Sequence, residues 1–163
     1  MLAYLARSLP LVVRAALPRD RGLVSRITRR VKLAEIDLNG HMNQASYAQV
    51  FELGRVDWFI GSGAWSAFRR QKVGAVVAEQ RIVYRRELKP GQRYSIDTRA
   101  VRMEGRLLVF ESLLLVGERV HAKAEVKLIF IARGGVLSAE DASSLCERYL
   151  VEPLAVEDWR VSA

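Results

Sequence analysis

Four polar residues of chemically useful types, Asp37, Asn39, His41 and Asn43, alternate with Leu38, Gly40 and Met42 just ahead of a strongly apolar stretch. A carboxylate and an imidazole this close in sequence can act on one reacting group. The carboxylate would serve as general base toward water or as nucleophile, and the imidazole would orient that water or assist a leaving group. The stretch that follows reads as a helix, and a helix N-terminus presents unpaired N–H groups and a partial positive charge. A carbonyl held there would be polarised and a developing oxyanion stabilised. The same residue types also build ordinary turns and caps. Spacing alone leaves both readings open.

The elements that must position these residues follow from periodicity. Residues 23 to 34 read as a strand with Ile27, Val31 and Leu33 on one face. A helix is expected from about residue 44 to about 61, capped by Asn43 or by a Ser46–Gln49 box. Tyr47, Val50, Phe51, Gly54 and Trp58 share one face of it, while Leu53, Val56 and Ile60 form a second apolar stripe. A helix apolar on two sides is buried on two sides. Gly61-Ser62-Gly63 stops it, and Trp65 to Arg70 can form a further turn. The period then becomes alternating over 74–86, 93–103, 107–116 and 119–132, with turns at Lys89-Pro90-Gly91, Glu104-Gly105 and Gly117-Glu118. Short turns predict an antiparallel meander of these four strands. Ser138 with Asp141 opens a short C-terminal helix. One apolar helix before such a sheet must be wrapped by it, which predicts an α+β hotdog fold, an antiparallel sheet around a long central helix.

The run Asp37-Leu38-Asn39-Gly40-His41-Met42-Asn43-Gln44-Ala45-Ser46-Tyr47 resembles the signature of hotdog thioesterases related to plant acyl-carrier-protein thioesterases and bacterial acyl-CoA thioesterases. That signature runs Asp-x-Asn-x-His-x-Asn-Asn-x-x-Tyr, and Gln44 stands where its second paired Asn belongs. Tyr84-Arg85-Arg86-Glu87 resembles a strand segment of the plant enzymes. The resemblance implies Asp37 as catalytic carboxylate, Asn39 as its positioning partner, His41 as the imidazole and Glu87 as a further catalytic acid, although the helix-to-strand connection is longer here. It implies substrate contacts from Asn43 and Tyr47; Arg85 and Arg86 read either as contacts to the phosphates of coenzyme A or as outward-facing strand residues paired with acids. It also implies an acyl-CoA or acyl-carrier-protein substrate, no cofactor or metal, and a homodimer or homotetramer with sheets joined edge to edge. A hotdog hydratase or dehydratase is the second candidate, but its Gly-Asp-x-Asn-Pro-x-His signature is not matched, with Ile36 in place of the glycine and no proline after Asn39. The third is a protein that holds acyl-CoA without cleaving it.

Length and composition set the frame. The chain has 163 residues, half of them apolar, enough for one core. Residues 1–22 form a basic amphipathic arm, 23–133 the hotdog unit, and 134–163 a short helix and tail. A single cysteine, Cys146, excludes an internal disulfide and suits a reducing cytoplasmic setting; two histidines, His41 and His121, leave little for metal binding. His121, on a polar strand face, reads as surface or structural. The net charge is +8, with most of it before residue 35. The arm could lie on a membrane surface or dock on the domain itself. No motif for specific nucleic-acid reading accompanies the basic charge.

Overall fold

Asn43 starts the principal helix. Its backbone is extended and its side-chain oxygen accepts the Ala45 N–H at 2.8 Å, capping α1 (Gln44–Gly61). Asn43 is therefore the cap rather than a Ser46–Gln49 box. Ser46 is buried, with its hydroxyl 3.5 Å from the Glu35 carbonyl. The computed structural model describes residues 22–154. The N-terminal arm up to Arg21 and its expected membrane contact lie outside the described residues.

The remaining elements are β1 (Val24–Arg30), α2 (Ala64–Arg70), β2 (Gly74–Tyr84), β3 (Arg93–Glu104), β4 (Leu107–Val116), β5 (Arg119–Ala132), β6 (Gly135–Val136) and α3 (Ala139–Cys146). The first strand is shorter than the sequence suggests. Val31 remains buried, but the chain enters a 3-10 turn at Leu33–Glu35 that leaves Leu33 exposed. Ser138 caps α3 by accepting the Asp141 N–H. Ala142, Leu145 and Cys146 of α3 join Trp58, Phe68, Phe110 and Phe130 in one apolar cluster. Among the described residues no helix is long and apolar enough to cross a membrane.

All pairings are antiparallel, in the order β1-β3-β4-β5-β2, with β6 added beside β5. The expected four-strand meander holds only for β3, β4 and β5. β2 pairs with β5 at the far edge, and β1 takes the place beside β3. The segment from 85 to 92 is long enough to cross from the β2 edge to β3, three places along the sheet, and Leu88, fully buried, plugs the core as it passes. The resulting sheet curls round α1 as a hotdog. β1, β3 and β4 carry the helix, while β2 stands off from it.

α1 is asymmetric rather than doubly buried. Tyr47, Val50, Phe51 and Trp58 face the sheet, and Leu53 and Asp57 are also buried, Asp57 accepting the Ser25 hydroxyl of β1 at 2.7 Å. Val56 and Ile60, expected to share a buried stripe with Leu53, are only half-buried. At the crossing with β3, Gly54 permits contact that no side chain could. A Cβ there would fall 2.5 Å from Thr98 Oγ1 and 3.2 Å from Ile96 Cγ2. Thr98 is tied to Ser112 by a 2.9 Å hydroxyl bond and cannot simply swing aside. Gly54→Ala is expected to destabilise by about 1–3 kcal/mol through overpacking, despite the roughly 1 kcal/mol helix-propensity gain. Urea unfolding checks this; an unchanged or raised midpoint would mean α1 lifts freely from β3.

Candidate active site

The segment ahead of α1 closes on itself. The Asp37 N–H donates to the His41 carbonyl at 2.9 Å and the Gly40 N–H to the Asp37 carbonyl at 3.1 Å, with Gly40 at φ 78°. A left-handed residue is needed here, and glycine supplies it without a Cβ penalty. Ile36 and Met42 form an antiparallel bridge, and the Met42 N–H donates to the Leu88 carbonyl at 2.8 Å. The loop's base rests on Glu35, which is buried: its carboxylate accepts the Lys32 N–H and its carbonyl accepts the Asn43 N–H. Backbone bonds thus fix where the side chains of 37 and 41 emerge.

Asp37 divides its carboxylate between two tasks. One oxygen accepts the Asn39 N–H at 2.9 Å, and the other lies 3.5 Å from His41 Nδ1. The turn and the site are thus the same object. Both side chains are partly shielded and line a recess of about 410 Å³. Gln44 and Tyr47, in the first turn of α1, form another wall, so the recess opens at the helix's positive end. Tyr84, Arg85, Arg86 and Glu87 complete it. The unexpected route of 85–92 is what brings Glu87 to Asp37 and His41.

The expected residues divide unevenly. Asp37, His41, Tyr47, Arg85, Arg86 and Glu87 line the recess. The Asn39 side chain is exposed, and Asn39 meets Asp37 through its own backbone N–H, not as a side-chain partner. The Asn43 side chain is committed to capping α1. Glu87 is about half exposed, 3.6 Å from Lys89. Arg86 donates to the Val120 carbonyl at 3.1 Å, leaving the segment next to Glu87 tethered to the sheet.

Three contributors escaped the sequence reading. Tyr84 stacks edge-on against Tyr47 with ring centroids 5.1 Å apart, and its hydroxyl is hydrogen-bonded to the Gln44 side chain. His121 is buried on the outer face of β5; its Nδ1 lies 3.0 Å from the Glu87 carbonyl, which makes that nitrogen the donor. The His121 carbonyl also accepts the Arg85 and Arg86 N–H groups. The alternation of 74–86 places Tyr84 on one strand face but cannot show that this face meets α1's first turn. Nothing local in sequence links His121 to residue 87. Among the described residues no group of three or more His, Cys, Asp or Glu could hold a metal ion.

Burial pushes the Tyr47 phenol up from its usual 10.0 to about 12, and does the same to Tyr94. In the unfolded chain both would ionise near 10, so their folded values lie above their unfolded ones. The stability they contribute is whole below about pH 10 and is lost as pH rises toward about 12. The melting temperature is expected to fall across that window, and phenolate absorbance from two of the five tyrosines is expected to appear only with unfolding. A rise in stability there, or all five phenols ionising in the folded protein near pH 10, would contradict the burial of both rings.

The curled sheet, the long helix α1 that it wraps and the acid–imidazole recess at that helix's first turn define a hotdog-fold protein. Residues 31–146 match the model of the thioesterase-like superfamily. The chain belongs to that superfamily and is a thioester hydrolase. Among solved structures it is similar to the probable thioesterase YbaW from Escherichia coli, with 19% identity, 78% of this chain and 99% of that one covered, and a TM-score of 0.71. The probable thioesterase from Bartonella henselae shows 26% identity, coverage of 71% and 98%, and a TM-score of 0.62. SAV2348 from Staphylococcus aureus, solved in complex with CoA, shows 16% identity, coverage of 86% and 95%, and a TM-score of 0.66. No curated protein matches the chain.

Proposed function

We propose that this protein hydrolyses acyl-CoA to the free acid and the CoA thiol, with Asp37 as general base. The observation that carries the reading is the convergence of Asp37, His41 and Glu87 on one recess at the positive end of α1. With the thioester carbonyl directed at that helix end, its oxygen gains the stabilisation of the helix dipole. Asp37 takes a proton from water, whose oxygen bonds to the carbonyl carbon. The C–S bond then breaks, and the proton returns through His41 to the departing sulfur. Tyr47 lines the same recess as a neutral phenol, and burial pushes its ionisation further from neutral pH. Arg85 and Arg86, exposed at the mouth, suit the CoA phosphates. The CoA-bound SAV2348 structure supports a CoA thioester as the substrate's leaving half.

The working unit in this reading is a homodimer. β2 is an edge strand, exposed along most of its length, with Val76 and Val77 facing solvent at 48% and 45%. An edge of this kind is covered by pairing with a second copy. To test the reaction, one sample is assayed for thiol release from saturated acyl-CoA and for water addition to enoyl-CoA. Thiol release with the enoyl double bond left intact is expected. Hydration without thiol release would overturn hydrolysis in favour of the hydratase chemistry.

A further inference from the structure

We infer that the acyl group is a long, flexible aliphatic chain that lies in a trough between α1 and β2; the inference rests on the thioesterase reading and names the substrate class of its site. The trough exists because β2 pairs with β5 while α1 is carried by β1, β3 and β4. Gln44, Ala48, Glu52, Val56 and Ile60 recur every fourth position and form one ridge that winds slowly along α1 on the side towards β2. None of the five is buried, whereas Tyr47, Val50, Phe51, Leu53, Gly54 and Trp58 on the sheet side are.

Three recesses follow this row in order. The catalytic recess shares Gln44 and Tyr84 with a second, of about 490 Å³, that also contains Ala48, Gln80 and Ile82. One helical turn further, at Glu52, begins the largest, a cavity of about 660 Å³. Its lining is mostly apolar, with Val56, Phe59, Ile60 and Phe68 from the helices and Val77 and Leu128 from the sheet. Glu52, Arg55 and Arg69 are its charged members, and long arginine stems cover apolar surface while their heads stay polar.

Length decides what can fill it. From Gln44 to Glu52 the helix advances about 12 Å, and to Ile60 about 24 Å, at 1.5 Å per residue. A zigzag alkyl chain advances about 1.3 Å per carbon from C–C bonds near 1.5 Å. A thioester carbonyl at the first turn of α1 therefore sends about the ninth carbon into the cavity and roughly the eighteenth to its far end. An aryl or short acyl group would stop in the first two recesses and leave the largest of the three, which is mostly apolar, without a ligand. Burying methylenes there is the available source of binding energy.

The test uses the full chain with butyryl-, octanoyl-, palmitoyl- and benzoyl-CoA for turnover, and non-hydrolysable butyl and hexadecyl thioether analogues of CoA for binding. Trp65, half exposed in the cavity wall, reports occupancy by fluorescence. The hexadecyl analogue is expected to bind at least about tenfold more tightly than the butyl one, and kcat/KM to be highest for palmitoyl-CoA. Ala48→Phe, narrowing the trough about a quarter of the way along, beyond the reach of a four-carbon acyl group, should lower kcat/KM for palmitoyl-CoA at least about tenfold and leave butyryl-CoA within about twofold. Val56→Trp, about three times as far from Gln44 along the row, should move the optimum to octanoyl-CoA. Equal binding of the two analogues, a benzoyl preference, or equal loss at all chain lengths in Ala48→Phe would overturn the inference. So would a change of oligomeric state in that variant with no change in the chain-length profile, since the trough would then be a contact between copies. Absence of thiol release from every substrate sinks the hydrolysis reading instead, and the thioether analogues still decide the occupant of the trough.

Discussion

Asp37→Asn is expected to lower kcat for thiol release about a thousandfold, within the 10²–10⁴ range for loss of a positioned general base, with little change in melting temperature. The choice of asparagine matters because Asp37 has two tasks. One carboxylate oxygen closes the turn by accepting the Asn39 N–H, and the amide oxygen of asparagine can accept the same bond. The other oxygen faces His41 Nδ1 and is the one available to water. Asparagine keeps the first function and removes the second. Asp37→Ala removes both, so it should lose activity to a similar extent and also lower stability by about 1 kcal/mol for the broken hydrogen bond. Steady-state kinetics beside thermal unfolding separate the two variants. Turnover of Asp37→Asn within tenfold of the native protein would remove Asp37 from the chemistry.

This double use explains why the site was half legible in the sequence. Asp37 and His41 were visible because a carboxylate and an imidazole ahead of an apolar helix are chemically pointed in any fold. The resemblance also implied Asn39 as the partner of Asp37 and Asn43 as a substrate contact, but a tight turn sends alternate residues outward, and a helix start claims one side chain for itself. α1 lies where its periodicity and flanking glycines place it, and β3, β4 and β5 follow their alternation closely. What periodicity cannot supply is the identity of a strand's neighbour. The short turns suggested that β2 lies beside β3, whereas Leu88 and the 85–92 crossing put it beside β5. Every feature that depends on this pairing was hidden with it: Glu87 beside Asp37, His121 beneath Glu87, Tyr84 on Tyr47, and the trough that leaves Val56 and Ile60 half-buried while Leu53 is packed.

The other large effect is expected at Trp58, which is 1% exposed. Its indole N–H donates to the Leu23 carbonyl at 2.8 Å, fixing the lead-in to β1. Its ring meets Phe110 of β4 edge-on at 4.7 Å, Tyr149 at 5.8 Å and Phe59 at 5.2 Å. One side chain thus joins the helix to the sheet, to the segment after α3 and to the first strand. Trp58→Ala is expected to cost about 3–5 kcal/mol in unfolding free energy, and Trp58→Phe less, because it keeps most of the ring contact and leaves only the Leu23 carbonyl without its donor. The consequence for function is directional. Phe59 is held between Trp58, Phe110 and Phe68 and forms part of the large cavity's wall, whereas the Asp37 loop is fixed by Glu35, Leu88 and the Asn43 cap at the opposite end of α1. At a temperature where Trp58→Ala remains folded, butyryl-CoA turnover should survive while palmitoyl-CoA turnover falls. Equal loss on both substrates would show that the two ends of α1 are not independent.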